Sequence, residues 1–147
     1  MDDSMEEYPV VVEIPVRFRD LDAMGHVNNS VYLTYFEEAR LEYLKAARYE
    51  IDDPEGFGFV LAEALCRYHS PLYLGEKVRI GLRVDELGTK SFKFVYRVEE
   101  AGTNRLVATG HTVQVAYDYE NRKPIPLSKK LIESFEKVQG HLRPRDE

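Results

Sequence analysis

Cysteine is almost absent. Cys66 is the single one among 147 residues, so no disulfide forms within the chain and a zinc site built on thiolates is excluded. Nothing in that usage points to an oxidising compartment. No apolar run approaches the roughly 20 residues a helix needs to cross a bilayer. The stretch from Met1 to Tyr8 is acidic and polar, the opposite of a signal or transit peptide, so a cytoplasmic location is expected. Positive charge is also in short supply. Lys and Arg number 20 against 26 Asp and Glu, and the net charge of -6 argues against nucleic-acid binding as the main activity. An anionic ligand stays open, because a few well-placed cations matter more than the total. Repeats and low-complexity tracts are missing too.

What is present is an ordinary globular composition, 44% hydrophobic and 31% charged. The length suits one domain, 1–147, with a core from about residue 10 to residue 139. The first eight residues and Arg143 to Glu147 read as frayed ends.

Val10 to Phe18 is rich in β-formers, and Pro15 suggests an edge or a bulge. Arg19 to Asn29 is a loop, and a helix should start near Ser30, capped by Asn29 or Ser30. Tyr32, Tyr35, Phe36, Ala39, Tyr43 and Ala46 recur at three and four residues and give that helix a buried stripe. Asp52, Asp53, Pro54 and Gly56 close it with a loop. Phe59 to His69 reads as a long apolar strand. Val78, Ile80, Leu82 and Val84, then Phe92, Phe94, Tyr96 and Val98 after the Gly88–Thr89 turn, alternate with mostly polar residues, as in an antiparallel hairpin with one wet face. A further strand, Leu106 to Tyr117, and a helix from Ser128 to Gln139 complete an α+β layer design. These helices cannot cover the whole sheet, so an oligomer pairing sheet edges or faces is expected.

The chemistry concentrates in Arg17 to Asn29, RFRDLDAMGHVNN. Asp20 and Asp22 stand one residue apart, Gly25 lets the backbone turn, His26 follows, and a helix N-terminus comes next. Exposed N–H groups and the helix dipole there favour an oxygen that becomes negative, as a carbonyl oxygen does when its carbon is attacked. A nearby carboxylate can attack that carbonyl or take a proton from water. On residue types alone, such a loop is more often capping and turn chemistry than catalysis.

VRFRDLDAMGHVNNSVYLTYFEEARLEYL, from Val16 to Leu44, resembles the signature of the 4-hydroxybenzoyl-CoA thioesterase-like family, in the branch with Asp-x-Asp-x-x-Gly-His-Val-Asn-Asn before a tyrosine-bearing helix. YHSPLYLG (Tyr68 to Gly75) and GTKSF (Gly88 to Phe92) resemble later segments of that family, in the right order. The resemblance implies a hotdog fold, a curved antiparallel sheet wrapped around one long helix. It implies Asp22 as the catalytic carboxylate, with Asp20 structural. Backbone N–H groups of Asn28 or Asn29 would hold the oxyanion, and His26 would orient Asp22 or the water. Lys90 would meet the phosphates of coenzyme A, with Arg122 and Lys123 as further candidates and Ser91 adding a hydrogen bond. No metal or redox cofactor is implied. The active site is expected to cross a subunit interface, in a dimer or a homotetramer of paired dimers.

The expected activity is hydrolysis of an acyl-CoA thioester to the free acid and coenzyme A. An acyl carrier protein as donor and a non-catalytic acyl-CoA sensor are the alternatives. Glu37 and Glu38 are expected to be solvated helix charges, His69 and His111 structural histidines, and Cys66 inert. Glu63 either pairs with Arg67 or lines the pocket.

Overall fold

The alternating runs fold as the pattern requires. Val78, Ile80, Leu82 and Val84 and, across the hairpin, Phe92, Phe94, Tyr96 and Val98 are all buried on one sheet face. The computed structural model describes residues 4–49 and 58–142. In chain order its elements are β1 (Val10–Pro15), α1 (Val31–Ala46), β2 (Phe59–Tyr68), β3 (Lys77–Leu87), β4 (Ser91–Glu100), β5 (Arg105–Asp118), β6 (Lys123–Pro124) and α2 (Lys129–Gln139). Short 3-10 turns at Met5–Glu7 and Phe18–Asp20 flank β1. The antiparallel sheet runs β1-β3-β4-β5-β2, with the two-residue β6 paired to the end of β5. Both β1 and β2 are therefore edges, in keeping with Pro15 at the end of β1.

α1 packs its stripe on the inner sheet face. Phe36 stacks on Tyr96 with ring centres 4.1 Å apart, and Tyr43 meets Phe94 and Phe135 edge-on. The stripe differs from expectation at its end: Ala46 is exposed, while Leu44 and Ala47 are buried. From Tyr43 the next residue on the same face lies four positions on, and Ala46 points about 100° away from it. α2 adds Phe135 to the core, and the Ser128 side chain accepts from the Leu131 N–H to cap it. At a bulge between Val84 and Glu86, the Gln139 amide donates to the Val84 carbonyl at 2.8 Å and accepts from its N–H at 3.0 Å. The irregular strand thereby keeps its backbone groups paired.

Several boundaries move. β1 stops at Pro15, because the chain turns at Phe18–Asp20. Neither Asn29 nor Ser30 caps α1 through its side chain. Asn28 Oδ1 accepts instead from the Ser30 N–H at 2.9 Å and the Ser30 hydroxyl at 2.8 Å. The first residues are not all frayed: Met5 and Tyr8 fill the space over Gly81, where a side chain would collide with both, and Arg83 lies over the Tyr8 ring. The expected loop at Asp52, Asp53, Pro54 and Gly56 and the tail Arg143 to Glu147 lie outside the described residues. β2, for all its apolar character, is largely open to solvent, with Leu61 51% and Tyr68 49% exposed.

Candidate active site

The loop between β1 and α1 is held at every turn. Asp20 is buried, and its Oδ2 accepts from the Arg17 N–H at 2.9 Å and the Tyr35 hydroxyl at 2.8 Å. Its carbonyl takes the Asn28 N–H at 2.9 Å, and Leu72 takes that of Val27 at 2.9 Å. Single antiparallel bridges join Leu21 to Val27 and His26 to Tyr73. Between them Gly25, at φ +83°, closes a turn by donating to the Asp22 carbonyl at 3.0 Å. That left-handed residue sets Asp22 and His26 side by side.

Asp22 is fixed but not consumed. Its Oδ1 accepts from the Met24 N–H at 2.9 Å, while Oδ2 lies 3.8 Å from His26 Nδ1, beyond a hydrogen bond. Both side chains line a cavity of roughly 420 Å³, together with Asn29, Tyr32, Tyr68 and His69. The N–H groups of Ser30 and Val31 are spent on Asn28, and that of Asn28 on Asp20. Asn29 is different: its carbonyl accepts from Tyr68 at 2.7 Å, and its N–H has no acceptor among the described residues. Of these two asparagines at the start of α1, the one with an unspent N–H is therefore Asn29.

Tyr68 and His69, with Ser70 and Pro71 behind them, form a wall that the sequence reading did not assign. Its signal was the polar Tyr-His-Ser run ending an otherwise apolar strand. Arg105 grips this wall, donating from Nε to Ser70 Oγ at 3.1 Å and from Nη2 to the Pro71 carbonyl at 2.7 Å, with Glu76 paired to the same guanidinium. His69 is bonded to Thr109 at 3.0 Å, as a structural histidine would be, and faces the cavity as well. Burial pushes the hydroxyls of Tyr32 and Tyr68 up to about 12 and raises the Cys66 thiol, so all three stay protonated at neutral pH.

The remaining candidates lie elsewhere. Lys90 is in the β3–β4 turn, its carbonyl bonded to the Ala116 N–H, and Arg122 and Lys123 follow β5. This is the end of the sheet where β2 begins, whereas Asp22 sits where β2 finishes, roughly 30 Å away at about 3.3 Å per strand residue. One chain does not bring these cations to Asp22. Ser91 lines a separate groove with Glu63, Glu86 and Lys93. Glu63 pairs with His111 at 2.9 Å, Glu38 with Arg17 at 2.8 Å, and Glu37 is exposed. Among the described residues, no three His, Cys, Asp or Glu side chains gather as metal ligands.

Residues 16–135 match the model of the thioesterase-like superfamily. The chain belongs to that family. A thioesterase from Thermus thermophilus, solved with coenzyme A and Zn, is 35% identical and superposes with a TM-score of 0.81 over 94% of this chain and 99% of its own. The long-chain acyl-CoA thioesterase FadM of Escherichia coli is 29% identical, over 86% of this chain and 96% of its own length. A 1,4-dihydroxy-2-naphthoyl-CoA hydrolase of Nostoc punctiforme is 28% identical, over 82% of each. With membership of this superfamily stand the hotdog fold and the enzyme class, a thioester hydrolase.

Proposed function

We propose that this thioesterase hydrolyses acyl-CoA with Asp22 as its reacting carboxylate. One observation carries the reading: Asp22 and Asn29, whose N–H has no acceptor among the described residues, line one cavity at the N-terminus of α1. As a base, Asp22 takes a proton from water while the water oxygen bonds to the thioester carbon. The carbonyl oxygen becomes negative against the Asn29 N–H and the helix dipole. The C–S bond then breaks, and the coenzyme A thiolate recovers the proton. As a nucleophile, Asp22 would bond to the carbon itself, expel the thiolate and leave an anhydride for water to open. In either course His26 steadies the Asp22 carboxylate at 3.8 Å.

The working unit is a dimer through β2. Its ten-residue edge is open, and antiparallel pairing about a two-fold matches such a strand to its own copy. Pairing over the full length sets Phe59 opposite the partner's Tyr68. Lys90, Arg122 and Lys123 then lie toward the partner's site, where they hold the phosphates of coenzyme A, with Ser91 nearby. Two such dimers make the tetramer.

The test is thiol release from short, long and aromatic acyl-CoAs by wild type and Asp22→Asn. The substitution keeps the shape and removes the base, so turnover should fall at least about a hundredfold. An Asp22→Asn enzyme with wild-type turnover would refute the role of Asp22. Release from acyl carrier protein thioesters alone would transfer the reading to that donor.

A further inference from the structure

Tyr68 is the last residue of β2 and half exposed, yet its ring is held on two sides. Its backbone is in register with Ala108 of β5. Its ring meets the buried Tyr32 of α1 edge-on, with ring centres 5.1 Å apart. So placed, its hydroxyl donates to the Asn29 carbonyl at 2.7 Å. Arg105 grips Ser70 and Pro71, beyond the strand, so β5 and Tyr32 set this hydroxyl instead.

The turn that receives the bond carries the unspent N–H of Asn29. Its other bonds are local. The Asn28 N–H donates to the Asp20 carbonyl at 2.9 Å, and the Asn28 carbonyl accepts from the Val31 N–H at 3.0 Å. The Asn28 side chain accepts from the Ser30 N–H at 2.9 Å. All three lie within the loop and the start of α1. Among the described residues, the Tyr68 hydroxyl alone ties the backbone of Asn28, Asn29 and Ser30 to the sheet. Tyr68, Asn29 and Asp22 line the same cavity, so the bond acts as a strut between its walls.

We propose that Tyr68 is a positioning residue, holding the Asn29 N–H where the oxyanion forms. The proposal rests on the acyl-CoA hydrolase reading, in which that N–H meets the carbonyl oxygen as it becomes negative. Such a donor is effective only within about 2.7–3.1 Å of the place the oxyanion will occupy. Bound substrate makes less demand on it, because its carbonyl oxygen is not yet charged. Loss of the strut therefore weakens the transition state more than substrate binding. Every thioester forms the same oxyanion, so the loss is the same for every acyl group.

The experiment measures kcat and KM separately on short, long and aromatic acyl-CoAs. The enzymes are wild type, Tyr68→Phe, which keeps the ring on Tyr32, and Tyr68→Met. For Tyr68→Phe, kcat should fall about tenfold, less than the roughly hundred- to thousandfold cost of removing an oxyanion donor outright. KM should stay within about twofold, and the factor in kcat should agree across the panel. Tyr68→Met removes the same hydroxyl and reads the same loss in kcat should the phenylalanine variant not fold. An unchanged kcat in a folded variant overturns the proposal. A raised KM at constant kcat, or a loss that varies with the acyl group, makes Tyr68 a wall of the acyl site and overturns it too. So does a loss that sedimentation velocity traces to a smaller species, since that belongs to assembly. Wild type that hydrolyses no thioester in the panel defeats the hydrolase reading itself, a separate and recognisable result.

Discussion

Tyr35 places its hydroxyl 2.8 Å from the carboxylate of Asp20, and both groups are buried. This bond separates two aspartates that the sequence sets one residue apart. Asp20 is committed to holding the loop on α1, while Asp22 lines the cavity and its Oδ2 accepts no hydrogen bond among the described residues. Burial, then the bond to Asp20, push the Tyr35 hydroxyl far above its ordinary value, so it remains a donor. Tyr35→Phe should cost about 1–3 kcal/mol, removing one of the two hydrogen bonds to Asp20 Oδ2. Urea unfolding checks this, and the folded variant should keep its turnover within a few-fold, the reverse of Asp22→Asn.

Arg105 acts on the cavity without touching it. Arg105→Met removes the bonds to Ser70, Pro71 and Glu76 and frees the wall that carries Tyr68 and His69. KM for acyl-CoA should rise about tenfold with kcat less affected, the mark of lost binding rather than lost chemistry. Steady-state kinetics decide it; a lowered kcat at constant KM would contradict this account.

Ala64 lies at the middle of β2 and is exposed. In the proposed dimer it sits beside the partner's Glu63, so Ala64→Glu sets like charges opposite one another. Sedimentation velocity should show the dimer dissociating at concentrations where wild type stays paired. Thiol release should fall with it, because the cations near Lys90 are then lost to the site.

Alkali should weaken the fold through its tyrosines. Burial raises Tyr32, Tyr35, Tyr43 and Tyr96 above the ordinary value of 10.0, Tyr32 to about 12. The folded state therefore holds protons that the unfolded chain releases near pH 10. This stability is complete below pH 10 and, for Tyr32, is lost as pH rises through 10 to about 12. Urea midpoints should drop across that window, and absorbance at phenolate wavelengths should rise late. Midpoints that stay level there would place these rings in water.

The sequence alone determined what local pattern encodes. Period-two alternation set the buried faces of β3 and β4, three-and-four spacing set the stripe of α1 to within its last turn, and the Asp-Leu-Asp loop before the helix marked the candidate site. Pro15 even marked an edge. These features depend on neighbours a few residues away, whose side-chain directions follow from backbone geometry. Tertiary structure alone decided the rest. β2 pairs with β5 some forty or more residues on, and that register makes β2 an open edge, stands Tyr68 and His69 beside Asp22, and leaves Gln114 between Phe92 and Leu61 without a hydrogen-bond partner among the described residues. It also puts Lys90 and Arg122 at the far end of the sheet, where one chain cannot use them with its own Asp22. Hydrophobic pattern says which face of a strand is buried, but not which strand lies beside it, because that choice is made by contacts between segments far apart in the chain.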